Sequence, residues 1–297
     1  YADHLLPAVY EYYFKIIFIG GFFATLCLLG LKLKNYLMLI LSLLLVTTSI
    51  SAYGLEVYLV LRKDNYNRYF GVDRFLGRSY YGGSYIKSKN DNNYTIFSAG
   101  GMDFIVINLD FEPDASELQW AESLLQTYSS RRAIIVSHYI LEKQVIQFGK
   151  QVRNFSPQGK KIYNALKNNP NLFLLLSGHI RSDSEGHRRD VYDGNIVHSL
   201  LANYQDRSNG GNGWLRILQF SPTKNQILVK TYSPLLDEWE TDGTSEFMLF
   251  YNMSGQLLSS IEDQITNEGM ASDSGNGEDF TIIVIPDTQY YSESFPD

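Results

Sequence analysis

The stretch Ala133-Ile134-Ile135-Val136-Ser137-His138 decides how this chain is read. A short continuous apolar run suits a strand buried on both faces. This one delivers a histidine at its C-terminal end. Open α/β sheets gather functional groups there, because side chains beyond the last pleat leave the core. Leu172–Ser177, followed by Gly178-His179, repeats the pattern, and Gly178 is expected to turn the backbone just before the imidazole. Phe280–Ile285, followed by Pro286-Asp287, repeats it with a carboxylate. Neutral imidazoles and a carboxylate are ligands for Zn, Mn or Fe rather than Ca. Two such ions side by side would polarise a phosphoryl group and activate water. Taken singly, a strand-end histidine is more often a hydrogen-bonded surface or core residue, and an aspartate there a turn former or helix cap.

Around these runs the segment 64–253 reads as mixed α/β. Further strands are expected at Tyr94–Phe97, Phe104–Leu109, Asn195–Ala202, Trp214–Ser221, Gln226–Tyr232 and Glu246–Tyr251. Helices are expected at Ala115–Tyr128, with Leu118, Ala121, Leu124 and Leu125 at helical spacing, and at Pro157–Asn168. Tyr192-Asp193-Gly194-Asn195 reads as a hairpin turn. The chain has 297 residues, room for about two domains at ~150 residues each. Its single cysteine, Cys27, excludes a disulfide framework and a cysteine-built zinc site. The net charge of −7 excludes a globally basic surface that coats nucleic acid. That charge is unevenly placed. Residues 254–297 hold nine Asp/Glu and no Lys or Arg, whereas 1–63 hold five Lys/Arg against three Asp/Glu.

Residues 1–63 also carry two uncharged apolar runs, Ile16–Leu31 and Tyr36–Leu55, separated by Lys32-Leu33-Lys34-Asn35. A membrane helix needs ~20 apolar residues, and the first run approaches that when Tyr12–Phe14 and the stem of Lys15 are counted. The expectation is a transmembrane hairpin that tethers the protein to the bilayer. The charges flanking it leave the side of the soluble part undecided. Residues 254–278 read as an amphipathic helix (Leu257, Leu258, Ile261 and Ile265 on one face) and an acidic linker. Residues 279–297 form a separate strand segment.

Val136-Ser137-His138, Ser177-Gly178-His179 and Val284-Ile285-Pro286-Asp287-Thr288-Gln289 together resemble the motifs of the calcineurin-like metallophosphoesterases. They are most similar to the subgroup whose first motif reads Asp-Thr-Gln. Arg74 to Gly83 and Asn203-Tyr204-Gln205 through Gly213-Trp214-Leu215-Arg216 extend the resemblance over about 64–253 and 279–297. It implies a two-sheet sandwich flanked by helices that binds two divalent ions (Mn, Zn or Fe) and hydrolyses phosphate mono- or diesters with metal-bound hydroxide. By position, Asp287 and Gln289 resemble ligands of one metal, and His138 and His179 resemble those of the other. Arg181 and Arg188 are candidate phosphate-binding groups. His187 is a possible substitute ligand, and Tyr80, Tyr81, Tyr204 and Trp214 are candidate cleft aromatics.

The sequence departs from the family pattern in three ways. The Gly-Asp and Gly-Asn-His-Asp/Glu motifs are absent, and with them a bridging carboxylate, an asparagine ligand and a histidine. Arg181 and Gln289 stand where many relatives have histidine. The first motif also follows the last, which a fragment, a circular permutation or a rearranged reading frame would explain. The expectation is that the Phe280–Ile285 strand inserts into the sheet of 64–253, or begins a second domain. Insertion would bring Asp287 near His138 and His179. Two functions compete: a membrane-tethered metal-dependent phosphoesterase, and a catalytically inactive binding or structural module on the same scaffold. A functional membrane segment is a third reading, but its runs carry no charge that marks an ion path.

Overall fold

Burial on both faces, or on one, sorts the strands into two sheets. The computed structural model describes residues 66–147, 150–180, 185–253 and 277–286. In chain order the strands and helices are β1 (Tyr81–Ser84), β2 (Asn93–Ala99), β3 (Met102–Leu109), α1 (Ala115–Thr127), β4 (Arg132–Ser137), β5 (Leu141–Gln147), β6 (Lys150–Phe155), α2 (Pro157–Leu166), β7 (Leu172–Ser177), β8 (Glu185–Tyr192), β9 (Asn195–Ala202), β10 (Leu215–Ser221), β11 (Gln226–Ser233), β12 (Glu238–Glu240), β13 (Phe247–Phe250) and β14 (Phe280–Val284). The fold is α/β. A seven-stranded mixed sheet has the order β1-β2-β3-β4-β7-β9-β8, and an antiparallel sheet has the order β12-β11-β10-β14, with β13 also paired to β11. β5 and β6 form a separate hairpin.

β3, β4, β7 and β9 run parallel, so their C-terminal ends share one edge. The helices cover one face of this sheet. α1 starts at Asp114, whose side chain accepts from the Glu117 amide while the Glu117 carboxylate accepts from the Asp114 amide, the reciprocal capping box. α2 starts at Ser156, with Pro157 in its first turn. Gly159 lets α2 approach the preceding chain: a Cβ there would lie 1.9 Å from the Ile140 carbonyl oxygen. Under the helices Ile105, Ile107, Ile135, Leu172 and Leu175 of the strands meet Leu125 and Ile162, all fully buried.

The other face meets the second sheet. Phe104, Ile134, Phe173, Leu174 and Leu200 pack against Leu218, Phe220, Ile227, Val229 and Leu249. β14 pairs antiparallel with β10, from Phe220↔Phe280 to Arg216↔Val284. Phe280 stacks on Phe220 with ring centres 4.6 Å apart and meets Phe104 edge-on at 5.7 Å. Residues 1–63, where the membrane hairpin is expected, and 254–276 lie outside the described residues. Among the described residues no helix is long and apolar enough to cross a membrane.

One buried carboxylate ties the sheets together. Glu185, at the start of β8, accepts from Arg216 of β10 (3.0 Å), Thr231 of β11 (3.0 Å), Tyr204 (2.7 Å), Arg207 (2.7 Å) and Ser245 (3.1 Å). The Arg216 and Glu185 side chains are 1% and 6% exposed. Removing one partner strands the other charge, so Arg216→Met should lower the unfolding free energy by about 3–5 kcal/mol. Adding Glu185→Gln should recover part of that loss, read from urea unfolding of the two variants.

His198 of β9 faces the second sheet and donates Nε2–H to the Phe250 carbonyl at 3.1 Å. Burial lowers its pKa to about 4, against the raising effect of that bond, with His187 and Arg189 lowering it further. The unfolded chain therefore binds the proton more readily, near pH ~6.5. This contribution is complete above that value and is lost as the pH falls toward about 4. The expected drop is about 3 kcal/mol. His198→Gln should flatten the stability profile between pH 7 and pH 4, measured by denaturant midpoints.

Candidate metal centre

β4 and β7 are adjacent and parallel, with Val136 opposite Leu176. The chain beyond both strands therefore emerges side by side. His138 follows β4 directly. Its carbonyl accepts from the Gly178 amide at 3.1 Å, which carries the strand pairing one step past the sheet. The sharp turn falls on His179 itself, at φ 72, and not on Gly178. That corrects the expected role of the glycine. A non-glycine residue in the left-handed region is uncommon, costs on the order of 1–3 kcal/mol, and persists where its surroundings over-determine it.

The turn brings the imidazoles together. His179 Nδ1 lies 2.8 Å from His138 Nε2, with ring centres 4.7 Å apart and planes at 70°. As a hydrogen-bonded pair, one nitrogen donates and the other accepts. A tetrahedral ion would set nitrogens ~2.1 Å from it ~3.4 Å apart, so sharing one ion requires the two imidazoles to separate by about half an ångström. Two neutral imidazoles match Zn, Mn or Fe. Among the described residues no group of three His, Cys, Asp or Glu is placed to hold an ion.

Aromatic rings line the pair. Tyr139 lies 4.4 Å from the His179 ring, and its hydroxyl donates to Glu142 at 3.2 Å. Burial and the Glu142 carboxylate push its pKa up. Phe111 lies 5.6 Å from the His138 ring and 6.1 Å from the His179 ring. Phe111 was not singled out from the sequence. It lies two residues past Leu109, and because Leu109 pairs with Ser137 the residue that follows β3 as His138 follows β4 is Asp110, so the strand-end rule points to Asp110 and not to Phe111.

Arg181, Asp287 and Gln289 lie outside the described residues. β14 runs toward the Arg216 end of β10. Arg188 donates Nε–H to Asp190 at 2.7 Å and Nη1–H to the Arg153 carbonyl at 2.8 Å, and lies over Phe155. His187 stacks on Phe247 at 4.8 Å, and burial and Arg216 lower its pKa. Asp193 and Gly194, both at positive φ, form the β8–β9 turn. Tyr204 and Trp214 are buried together with Ala202 and pack rather than line a cleft.

No protein-family model matches this chain. The uncharacterized protein YvnB of Bacillus subtilis (strain 168) is 34% identical over 208 residues, which cover 65% of this chain. The chain spans about 15% of the length of that curated relative.

Proposed function

We propose that this chain contributes a metal-dependent phosphoesterase site, held at a membrane by its N-terminal apolar runs. The observation that supports this best is the approach of His179 Nδ1 to His138 Nε2 at 2.8 Å, on the shared C-terminal edge of two parallel strands. In this reading His138 and His179 hold one divalent ion. Asp287 and Gln289 serve a second, and the two-sheet sandwich is of the metallophosphoesterase type. Bound ions would supply positive charge to a phosphoryl oxygen and acidify water. The chain's own part is to fix the imidazoles rigidly, through strand pairing and the strained turn at His179. The substrate is a phosphate mono- or diester. Arg181 is the candidate for one of its anionic oxygens, since a guanidinium matches phosphate geometry. Arg188 is already engaged by Asp190.

The test is elemental analysis of the full chain in detergent after loading with Mn or Zn, beside His138→Ala and His179→Ala. One or two ions per chain are expected, and each variant should lose at least one while keeping its circular dichroism. Hydrolysis of bis-p-nitrophenyl phosphate should fall by about 100-fold or more in either variant, since loss of a supporting ligand alone costs about 10–100-fold. An ion content that both variants retain would overturn the reading. No ion in any of the three would favour the inactive module.

A further inference from the structure

The link between β3 and α1 holds an aromatic ring out of the core and beside the histidines. Leu109, the last residue of β3, is 4% exposed, whereas Phe111 two residues later is 37% exposed. The backbone keeps it there. Glu112 sits in the left-handed region at φ 53, a conformation that persists only where surrounding contacts over-determine it. Those contacts are present. The Glu112 amide donates to Gln158 Oε1 at 2.9 Å, and Gln158 Nε2 donates to Ser137 Oγ at 2.8 Å. The Phe111 amide donates to Asp110 Oδ1 at 2.7 Å. Gln158 and Ser137 are 6% and 3% exposed, so the frame under Phe111 is rigid. Ser137 immediately precedes His138, so one hydrogen-bonded unit positions both the aromatic ring and the imidazole.

We infer that Phe111 is a stacking platform, which makes the histidine site select phosphate esters whose alcohol part carries a planar aromatic ring. The inference rests on the phosphoesterase reading above. A phosphoryl group at the imidazoles leaves its ester group within reach of the Phe111 ring, 5.6 and 6.1 Å from the two histidine rings. Rings stack there through offset or edge contacts, irrespective of their hydrogen-bonding edges. Aryl and nucleoside phosphates share this property, and sugar phosphates lack it.

The test is calorimetric binding of AMP, phenyl phosphate and ribose 5-phosphate to the Mn-loaded full chain. AMP and phenyl phosphate should each bind about tenfold tighter than ribose 5-phosphate, the scale of one base–aromatic stack. Phe111→Leu should bring the three ligands to one affinity, and Phe111→Trp should keep the preference. AMP alone binding tighter would assign the site to nucleotides in particular, through contacts to the base edge, and would overturn the stacking account. Equal affinities in the wild type, or a preference that survives Phe111→Leu, would also overturn it. If the His138→Ala chain then still loses its ion, the phosphoesterase reading survives that failure. If no ligand binds and the ion content is the same in His138→Ala, both fall together.

Discussion

The Glu185–Arg216 pair is the contact on which the two sheets depend. Apart from this contact and the His198–Phe250 hydrogen bond they meet through non-directional apolar packing, which tolerates sliding and repacking. Glu185 belongs to the edge strand of the first sheet, and its carboxylate accepts from residues of β10, β11 and the links around them. Burying two charges is costly unless every remaining lone pair and proton is satisfied. Five donors converge on the carboxylate, and Arg216 also donates to the Thr244 and Leu201 carbonyls, while its buried Nε–H has no partner among the described residues. Sliding one sheet over the other would break several of these directed bonds at once. The pair therefore contributes register more than net stability.

That register matters because the candidate site lies along one edge. The parallel strands β3, β4 and β7 end at Leu109, Ser137 and Ser177, and Phe111, His138 and His179 lie one or two residues beyond. Two of the residues at positive φ, Glu112 and His179, fall on this edge. Each strained residue costs on the order of 1–3 kcal/mol. The buried sheets on which they stand are stable enough to hold them. The strain lets the backbone leave the strand direction abruptly, so that side chains from separate strands converge.

The sequence revealed the strands with continuous apolar runs almost to the residue. Ala133–Ser137 lies within Arg132–Ser137, and Leu172–Ser177 is β7 itself. Such runs are too short for a buried helix, and the first is rich in β-branched residues, which settles them as strands buried on both faces. The span of α1 was legible through the spacing of Leu118, Ala121, Leu124 and Leu125, and the β8–β9 turn through Asp193-Gly194. What stayed hidden was polar. β5, β6 and β8 (Leu141–Gln147, Lys150–Phe155, Glu185–Tyr192) carry charged and amide side chains at half or more of their positions, because they lie in a hairpin or at a sheet edge. Their strand character comes from pairing rather than pattern. The two histidines were legible as strand ends. Their mutual distance was not, since it is set by the φ of His179, and nothing in Ser177-Gly178-His179 says which residue takes the turn. The Glu185 hub was equally silent, because its partners lie far apart in the sequence.

The place of β14 shows how little chain order constrains such a sheet. The segment that follows β13 must return to pair with β10 across a long connection. Loop closure grows only logarithmically with length, each doubling costing about 0.6 kcal/mol. Against that stands the burial of one face of β14: Phe280, Ile282 and Val284 pack into the core shared by the two sheets, while Ile283 points outward, 59% exposed. Half-burying three such side chains contributes several times the closure cost, at ~1.5–3 kcal/mol for each one fully buried. An apolar strand with the right alternation is therefore held by the sheet wherever in the sequence it occurs. An unusual order of motifs is thus weak evidence against a sandwich architecture. The composition and alternation of each strand are the stronger guide, because they determine which face it can bury.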